Sequence, residues 1–344
     1  MTRTLKVLAA VGIVVLMVVG AFTFTEPGQD ILLERAAGAS VGAPPLQGID
    51  GLRVFMCGTS SPLPSPDRAQ ACVAVLAGDR LFVVDVGAGS ARTATLGRMP
   101  LEALSGVLLT HFHSDHIAAL YEFNLNSWVA GRAVPLSVMG PTGVDRVVDG
   151  MNTAYELDRG YRVTHHGADL LPPELGVMQS REIEPGVVLE EDGLRITAFA
   201  VDHAPVDPAI GYRFDHRGRS VAVSGDAVID GRLREGVRGA DLLLHDALSL
   251  RIVSALEQAN AEIGNTRLQR IMADIQDYHA PTGSFDEVVS DLGLGKLAIY
   301  HFVPPPRNGI MERIFRRDLP PGTLLTEDGM IIDLPAGSDE IIVR

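Results

Sequence analysis

A chain of 344 residues with 46% hydrophobic and 21% charged residues can bury a substantial core, which excludes a disordered polymer. Its two cysteines, Cys57 and Cys72, are too few for a disulfide scaffold or a thiolate metal site. The formal net charge of −14 comes with no Lys/Arg run long enough to suggest a basic patch, and non-specific affinity for a polynucleotide comes from neutralised phosphates. Long nucleic acid is therefore disfavoured as a partner.

At the N-terminus, Arg3 and Lys6 precede an uncharged apolar stretch over 7–24. Its length matches the roughly 17–25 residues of a membrane-spanning helix and exceeds the ~7–15-residue core of a cleaved signal peptide. Residues 1–24 are read as an uncleaved anchor that places the chain on a membrane, in preference to a signal cut near Val19 and Ala21. Positive residues ahead of the span put everything after it outside the cytoplasm, as a periplasmic or otherwise exported part. Residues 25–48 read as a flexible tether, because the run over 36–45 is dense in small residues and proline without periodicity. One folded domain is assigned to 49–344.

From residue 49 onward, short apolar runs alternate with loops. The runs 52–57, 72–76 and 81–86 read as an antiparallel meander. Further strands are expected at 107–110, 136–139, 194–199, 221–224, 241–244 and 297–300, with helices over 117–129 and 249–277. This pattern predicts a layered α/β protein with sheets covered by helices. Residues 140–191 carry no clear period and are expected to form a cap over a site. Cys57 ends one strand and Cys72 begins the next, so a hairpin would bring them near one another. With the register unreadable from sequence, two buried reduced thiols are preferred over a bridge.

The most informative segment runs Leu108-Leu109-Thr110-His111-Phe112-His113-Ser114-Asp115-His116. A strand ends at Thr110 and a helix starts near Asp115. In extended chain, residues two apart share a side, so His111 and His113 can grip one ion. Asp115 and His116, at the helix start, can then face a second ion beside it. Imidazole and carboxylate together suit zinc and related divalent metals.

This segment resembles the HxHxDH signature of metallo-β-lactamase-fold hydrolases. The resemblance implies an αββα sandwich of two mixed sheets, here preceded by the transmembrane helix, and three more ligands at strand ends. His203 after Val201-Asp202, Asp226 after Val223-Ser224-Gly225 and His301 after Ile299-Tyr300 supply them in the right order. It also implies the roles. His111, His113 and His203 hold one metal, Asp115, His116 and His301 the other, and Asp226 bridges. Two divalent ions are expected, zinc first, with manganese or iron as alternatives.

Other stretches are similar to the tRNase Z and phosphodiesterase branch of that fold. Gly211-Tyr212-Arg213 lies between His203 and Asp226, and His245-Asp246-Ala247 is similar to a HEAT motif. His279-Ala280-Pro281-Thr282 stands where the branch has HST, and Gly58-Thr59 opens its glycine–threonine loop. The resemblance makes His279 the general acid on the leaving oxygen, Asp246 its orienting carboxylate, and Asp115 a second catalytic group that orients hydroxide. His245 reads as a strand-end cap. The loop 65–70 is not basic, and the short interval from His203 to Asp226 leaves no room for the tRNA-binding arm of the bacterial enzymes. The expected activity is hydrolysis of a phosphodiester or sulfate ester on a small molecule. An acyl or lactone hydrolase of the same fold and a catalytically degenerate, membrane-anchored binding protein are the alternatives. Oligomeric state is left open, a homodimer included.

Overall fold

The computed structural model describes residues 3–42 and 44–344 and separates into two compact units, Met1–Pro45 and Leu46–Arg344. Met1, Thr2 and Ala43, which fall in the expected anchor and tether, lie outside the described residues.

In the first unit, helix Arg3–Phe24 is followed by helix Glu26–Val41. The expected tether is thus helical over much of its length. Thr25 caps the second helix by accepting from Gly28 N, Pro27 stands in its first turn, and Leu32, Leu33, Glu34, Arg35 and Ala36 are good helix formers. Among the described residues, no single helix is long and apolar enough to cross a membrane. Ala10–Phe24 and Glu26–Ala39 meet that length and composition only as a pair, bent by 77°.

The second unit contains two sheets. The first is built from β1 (Gly51–Gly58), β2 (Cys72–Ala77), β3 (Arg80–Val84), β4 (Leu104–Leu108), β5 (Ser137–Gly140) and β6 (Gln179–Glu182). The second takes β7 (Gly186–Glu191), β8 (Leu194–His203), β9 (Val206–His216), β10 (Arg219–Val223), β11 (Leu242–Leu248), β12 (Lys296–Val303) and β13 (Leu324–Leu325). The chain returns to the first sheet for β14 (Ile331–Pro335) and β15 (Ile342–Val343). The orders are β15-β14-β1-β2-β3-β4-β5-β6 and β13-β12-β11-β10-β9-β8-β7. Both sheets are mixed: β1, β2 and β3 form the expected antiparallel meander, whereas β3 to β6 and β10 to β13 pair in parallel.

Alternation along each strand builds three apolar layers. Val54, Val75 and Leu108 of the first sheet meet Ile196, Phe214 and Val223 of the second in the central core. Phe55, Val83 and Val107 point the other way, under helix Leu120–Val129 with its Leu120 and Phe123. Ala222, Leu243 and Ile299 likewise pack under Leu233, Phe285 and Phe315. Strands buried on both faces read as continuous apolar runs, which is why they were legible as such. The result is the αββα sandwich.

Three local differences bear on the site. Residues 140–191 are ordered as helices Val144–Ala154 and Glu156–His166 plus β6 and β7. The helix expected over 249–277 is two, Leu250–Glu262 and Thr266–Asp274, broken at Gly264 (φ +71°) and restarted by an Asn265 side-chain cap on Leu268 N. Cys57 and Cys72 are not reduced thiols but a disulfide. A bulge between Met56 and Gly58 sets Gly58 opposite Cys72 and brings the cysteine Cα atoms to 5.0 Å, within bridging range.

Candidate metal centre

In open α/β sheets, ligands gather beyond the carboxyl ends of parallel strands. Here β3 and β4 of one sheet and β10, β11 and β12 of the other bring their chemistry to a common rim. β3 hands over to Asp85, a fully buried carboxylate at φ +56°, a conformation that aspartate tolerates better than most residues. Asp85 accepts from Thr110 N at 2.8 Å, Thr110 Oγ1 at 2.8 Å and His116 Nδ1 at 2.7 Å. Thr110 Oγ1 in turn lies 3.1 Å from His111 Nδ1. The outer nitrogens of both imidazoles are thereby engaged, which turns their Nε2 atoms inward.

One quartet is His111, His113, His203 and Asp226, and the other Asp115, His116, His301 and Asp226. Within each, one donor atom per residue lies within 4.8 Å of all the others. His111 Nε2 and His113 Nδ1 are 3.0 Å apart, and His203 Nε2 is 3.4 Å from the same His113 atom. His301 Nε2 stands 3.1 Å from Asp115 Oδ2 and 3.4 Å from Asp226 Oδ1, while His116 Nε2 is 3.4 Å from Asp226 Oδ2. Asp226 Oδ2 is also 4.0 Å from His111 Nε2 and 3.8 Å from His203 Nε2, so this one oxygen lies between the two quartets while Oδ1 faces His301. Gly225 makes this approach, at φ +68°, and a Cβ there would come within 2.8 Å of Thr110 Cβ. His203 is oriented from behind by Tyr278 O, 2.9 Å from its Nδ1. Tyr212 donates to Leu109 O at 2.8 Å and props the strand end that carries His111, whereas Arg213 turns away to Asp215.

The electrostatics match a cation site. Burial holds His111, and less strongly His113 and His203, below the ordinary imidazole value, so they stay neutral with lone pairs available. Burial alone would push the Asp226 and Asp115 carboxyls up. For Asp226, His301 and His116 outweigh it, and for Asp115, His116 and His301 do so, holding both low and ionised. His116 Nε2 and Asp226 Oδ1 are buried without a hydrogen-bond partner among the described residues. Buried polar atoms are rarely left so unless something else engages them. The His/Asp clusters fit a dinuclear divalent metal site.

Beside it, His279 Nδ1 lies 2.9 Å from Asp246 Oδ2, and both residues are buried. His245 Nδ1 lies 2.7 Å from the Asp246 backbone O and 2.9 Å from Asp246 Oδ1, and Ala227 N donates to Oδ1 at 3.1 Å. His245 thus lies within β11 against Asp246 rather than merely capping a strand. Burial opposes the Asp246 charge, but His245 and then His279 outweigh it and keep its carboxyl low. Sequence reasoning missed Asp85. The signal available was an aspartate at the end of an apolar strand, in Val83-Val84-Asp85-Val86-Gly87. A cavity of about 290 Å³ opens onto His113, Asp115, Asp226 and His279.

Comparison with known proteins agrees with this geometry. The sequence pattern of the family described as "Beta-lactamase superfamily domain" matches residues 80–302. Ribonuclease Z of Mycobacterium bovis is 37% identical over 256 residues, covering 74% of this chain and 86% of that protein. Ribonuclease Z of Mycolicibacterium gilvum is 36% identical over 261 residues, 75% of this chain and 86% of the relative. Among solved structures, the human tRNase Z short form superposes with TM-score 0.59 at 18% identity over 82% of this chain and 99% of its own. The metallo-β-lactamase-fold protein YhfI of Bacillus subtilis gives 0.58 at 16% identity, over 83% and 100%. The ribonuclease relatives overturn the expected small-molecule ester substrate and the disfavouring of long nucleic acid. A whole-chain charge is a sum over the surface and does not report the path an RNA takes.

Proposed function

Because the chain belongs to the beta-lactamase superfamily and to its ribonuclease Z family, and is a metal-dependent hydrolase acting on phosphodiester bonds, we propose that its substrate is RNA. The observation that carries this reading is the pair of quartets sharing Asp226, with the His279–Asp246 pair against it.

His111, His113 and His203 would hold one ion, Asp115, His116 and His301 the other, and Asp226 both. The nitrogen-and-oxygen donor set favours zinc. When bound, the ions supply Lewis acidity toward phosphoryl oxygens and make hydroxide available at neutral pH. Asp115, which lines the cavity floor, would orient the attacking water. Asp246 fixes the tautomer of His279 by accepting its Nδ1–H, so Nε2 can carry a proton to the departing oxygen. His245 and Ala227 N keep that carboxylate from rotating. An acid on the leaving group suits a sugar alkoxide, a poor leaving group, and this favours phosphodiester over acyl chemistry.

The same reading puts the catalytic unit outside the cytoplasm, supported by the Arg3 and Lys6 charges ahead of the apolar stretch and by the Cys57–Cys72 bridge, which persists in oxidising compartments. It also makes the N-terminal unit a membrane attachment. The test of the function is metal analysis of the purified full chain with cleavage of a labelled hairpin RNA bearing a single-stranded 3′ extension. About two divalent ions per chain and cleavage abolished by Asp226→Ala are expected. A protein that takes up no metal on reconstitution, or that takes it up and leaves RNA intact, refutes the reading.

A further inference from the structure

At the end of the sandwich opposite the metal centre, the second sheet opens a cavity of about 430 Å³. It forms where β7 turns into β8 at Gly193, where β9 turns into β10 through Arg217 and Gly218, and just before β11 at Asp241. At their other ends β8 closes on His203 and β10 leads to Asp226. At about 3.3 Å per residue, the run of β10 puts roughly 20 Å between this cavity and the two quartets. Four arginines, Arg195, Arg213, Arg217 and Arg219, line it, in a chain whose net charge is −14.

Arg219 is only 3% exposed and is the residue that sets this cavity apart. The other two buried arginines among the described residues are engaged at every nitrogen. Arg53 binds both carboxylate oxygens of Asp333 and Gln47 O, and Arg132 donates to Ser127 Oγ, Asn124 Oδ1, Val134 O and Leu175 O. Arg219 Nε and Nη2 have no hydrogen-bond partner among the described residues, and its Nη1 reaches only Pro335 O at 3.5 Å. Asp241 Oδ2 stands 3.3 Å from Nε but already accepts from Ser220 N at 2.7 Å and Ser220 Oγ at 3.1 Å. A buried guanidinium in that state is costly unless an anion completes it. Arg213 is held by Asp215 and by Arg238 O. Arg195 and Arg217 are exposed and meet Glu190 at 3.4 Å and Asp50 at 3.6 Å. Exposed pairs of that kind hold weakly, so both side chains are free to turn to an incoming group.

We propose that this cavity binds the phosphoryl group of a phosphate monoester, with the unpartnered Nε–Nη2 edge of Arg219 as its fixed anchor and Arg195 and Arg217 closing from the rim. Four guanidiniums against the two lining carboxylates, Asp215 and Asp241, leave an excess of two positive charges. A phosphate monoester carries close to two negative charges at neutral pH, and the planar arginine fork matches its oxygens in pairs. The volume lies within the range of small-molecule sites and exceeds a bare phosphate, so an organic body such as a sugar is accommodated. Asp215 and Asp241 would repel the neighbouring phosphates of a polynucleotide, so the group is a terminal one, on a soluble ester or at the head of a lipid.

The experiment titrates ribose 5-phosphate, inorganic phosphate and ribose calorimetrically into the full chain carrying Asp226→Ala, which removes anion binding by the metals. One site that takes both phosphates and leaves ribose unbound is expected. Adding Arg219→Met should weaken ribose 5-phosphate roughly 10- to 100-fold, the size of a lost charge-assisted bond. The same change should leave the melting temperature without phosphate nearly unaltered, because it removes an uncompensated buried charge, while abolishing the rise that ribose 5-phosphate gives. Arg195→Gln and Arg217→Gln alter exposed side chains only, and together they should weaken binding at least 10-fold. Absence of saturable phosphate binding in Asp226→Ala, or unchanged affinity in the folded Arg195→Gln/Arg217→Gln variant, overturns the site. Flotation of the wild-type full chain with phosphatidylcholine vesicles, with and without phosphatidic acid, then separates the sources. A gain on phosphatidic acid that Arg217→Gln removes assigns the phosphate to a lipid, and no gain beside tight ribose 5-phosphate binding assigns it to a soluble ester.

Discussion

Asp85 gives the sharpest test of how the centre is held, because it belongs to neither quartet yet holds His116 directly and His111 through Thr110. It is fully buried and accepts three hydrogen bonds, one from Thr110 N on Oδ1 and two on Oδ2, from Thr110 Oγ1 and His116 Nδ1. In Asp85→Asn the amide oxygen can replace only one of these oxygens. Its best placement keeps the Oδ2 pair and turns the NH₂ against the Thr110 N–H. One bond is then lost and two buried donor groups, the Thr110 N–H and the new amide NH₂, face one another without an acceptor, at ~1–3 kcal/mol for each unsatisfied group. Asp85→Ala loses all three and leaves a hole, so its cost reaches the ~4–5 kcal/mol that marks exceptional substitutions. His116 would keep a partner in the Asn variant, but a neutral one that no longer raises its basicity. Loss of such outer partners weakens metal affinity about 10–100-fold. The assay is a chelator-competition titration of wild type and Asp85→Asn, with thermal unfolding alongside. The weakening should fall on the ion held with His116 more than on the ion held with His113 and His203, which do not touch Asp85. Wild-type affinity for both ions in a folded Asp85→Asn protein would refute the argument.

Three further outcomes follow from the same geometry. His279→Ala should lower phosphodiester turnover roughly 10²–10⁴-fold, with a smaller deficit for bis-p-nitrophenyl phosphate, whose leaving group needs little protonation; equal deficits for both kinds of substrate would mean that His279 only shapes the cavity. His245→Asn, which can still donate to Asp246, should retain more turnover than His245→Leu, and the gap should narrow on the p-nitrophenyl substrate. Reducing the Cys57–Cys72 bridge, which closes a sequence separation of 15, should cost ~3 kcal/mol of stability by chain entropy; unchanged denaturant midpoints with and without reductant would show that the bridge does not constrain the unfolded chain.

The layered fold was legible because its strands are buried on both faces and write themselves as apolar runs such as Val221-Ala222-Val223 and Leu242-Leu243-Leu244. The residues that the structure gathers into the two quartets were legible because dense histidine and aspartate at strand ends has few uses other than metal. Asp85 was not, since a single aspartate after a strand is common, and only the fold brings it to Thr110 and His116 across the sheet. The helix Glu26–Val41 was hidden by the small residues near its end, although its cap, its proline and its leucines were all in view. The Cys57–Cys72 bridge depended on a one-residue bulge, and registers of that kind are set by tertiary packing rather than by local pattern.

The largest misreading, the partner, came from treating charge as the measure of nucleic-acid binding. Counterion release favours a long, regular phosphate track under a basic face. A hydrolase that must reach one bond meets a different requirement. The reacting phosphate needs the metals, and the flanking nucleotide must leave its stack. Neither demands lysine or arginine at the site, and the cavity walls contain none among the described residues. The net charge of −14 is a sum over the whole surface and leaves local strand capture untouched. Cleavage should accordingly depend on salt much less steeply than binding by a protein with several phosphate contacts. A plot of log kcat/KM against log salt concentration measures this directly. A shallow slope, equivalent to about one or two phosphates, is expected on a single-stranded RNA. A slope as steep as that of six or more contacts would reveal a basic track elsewhere on the chain and refute the argument from the cavity.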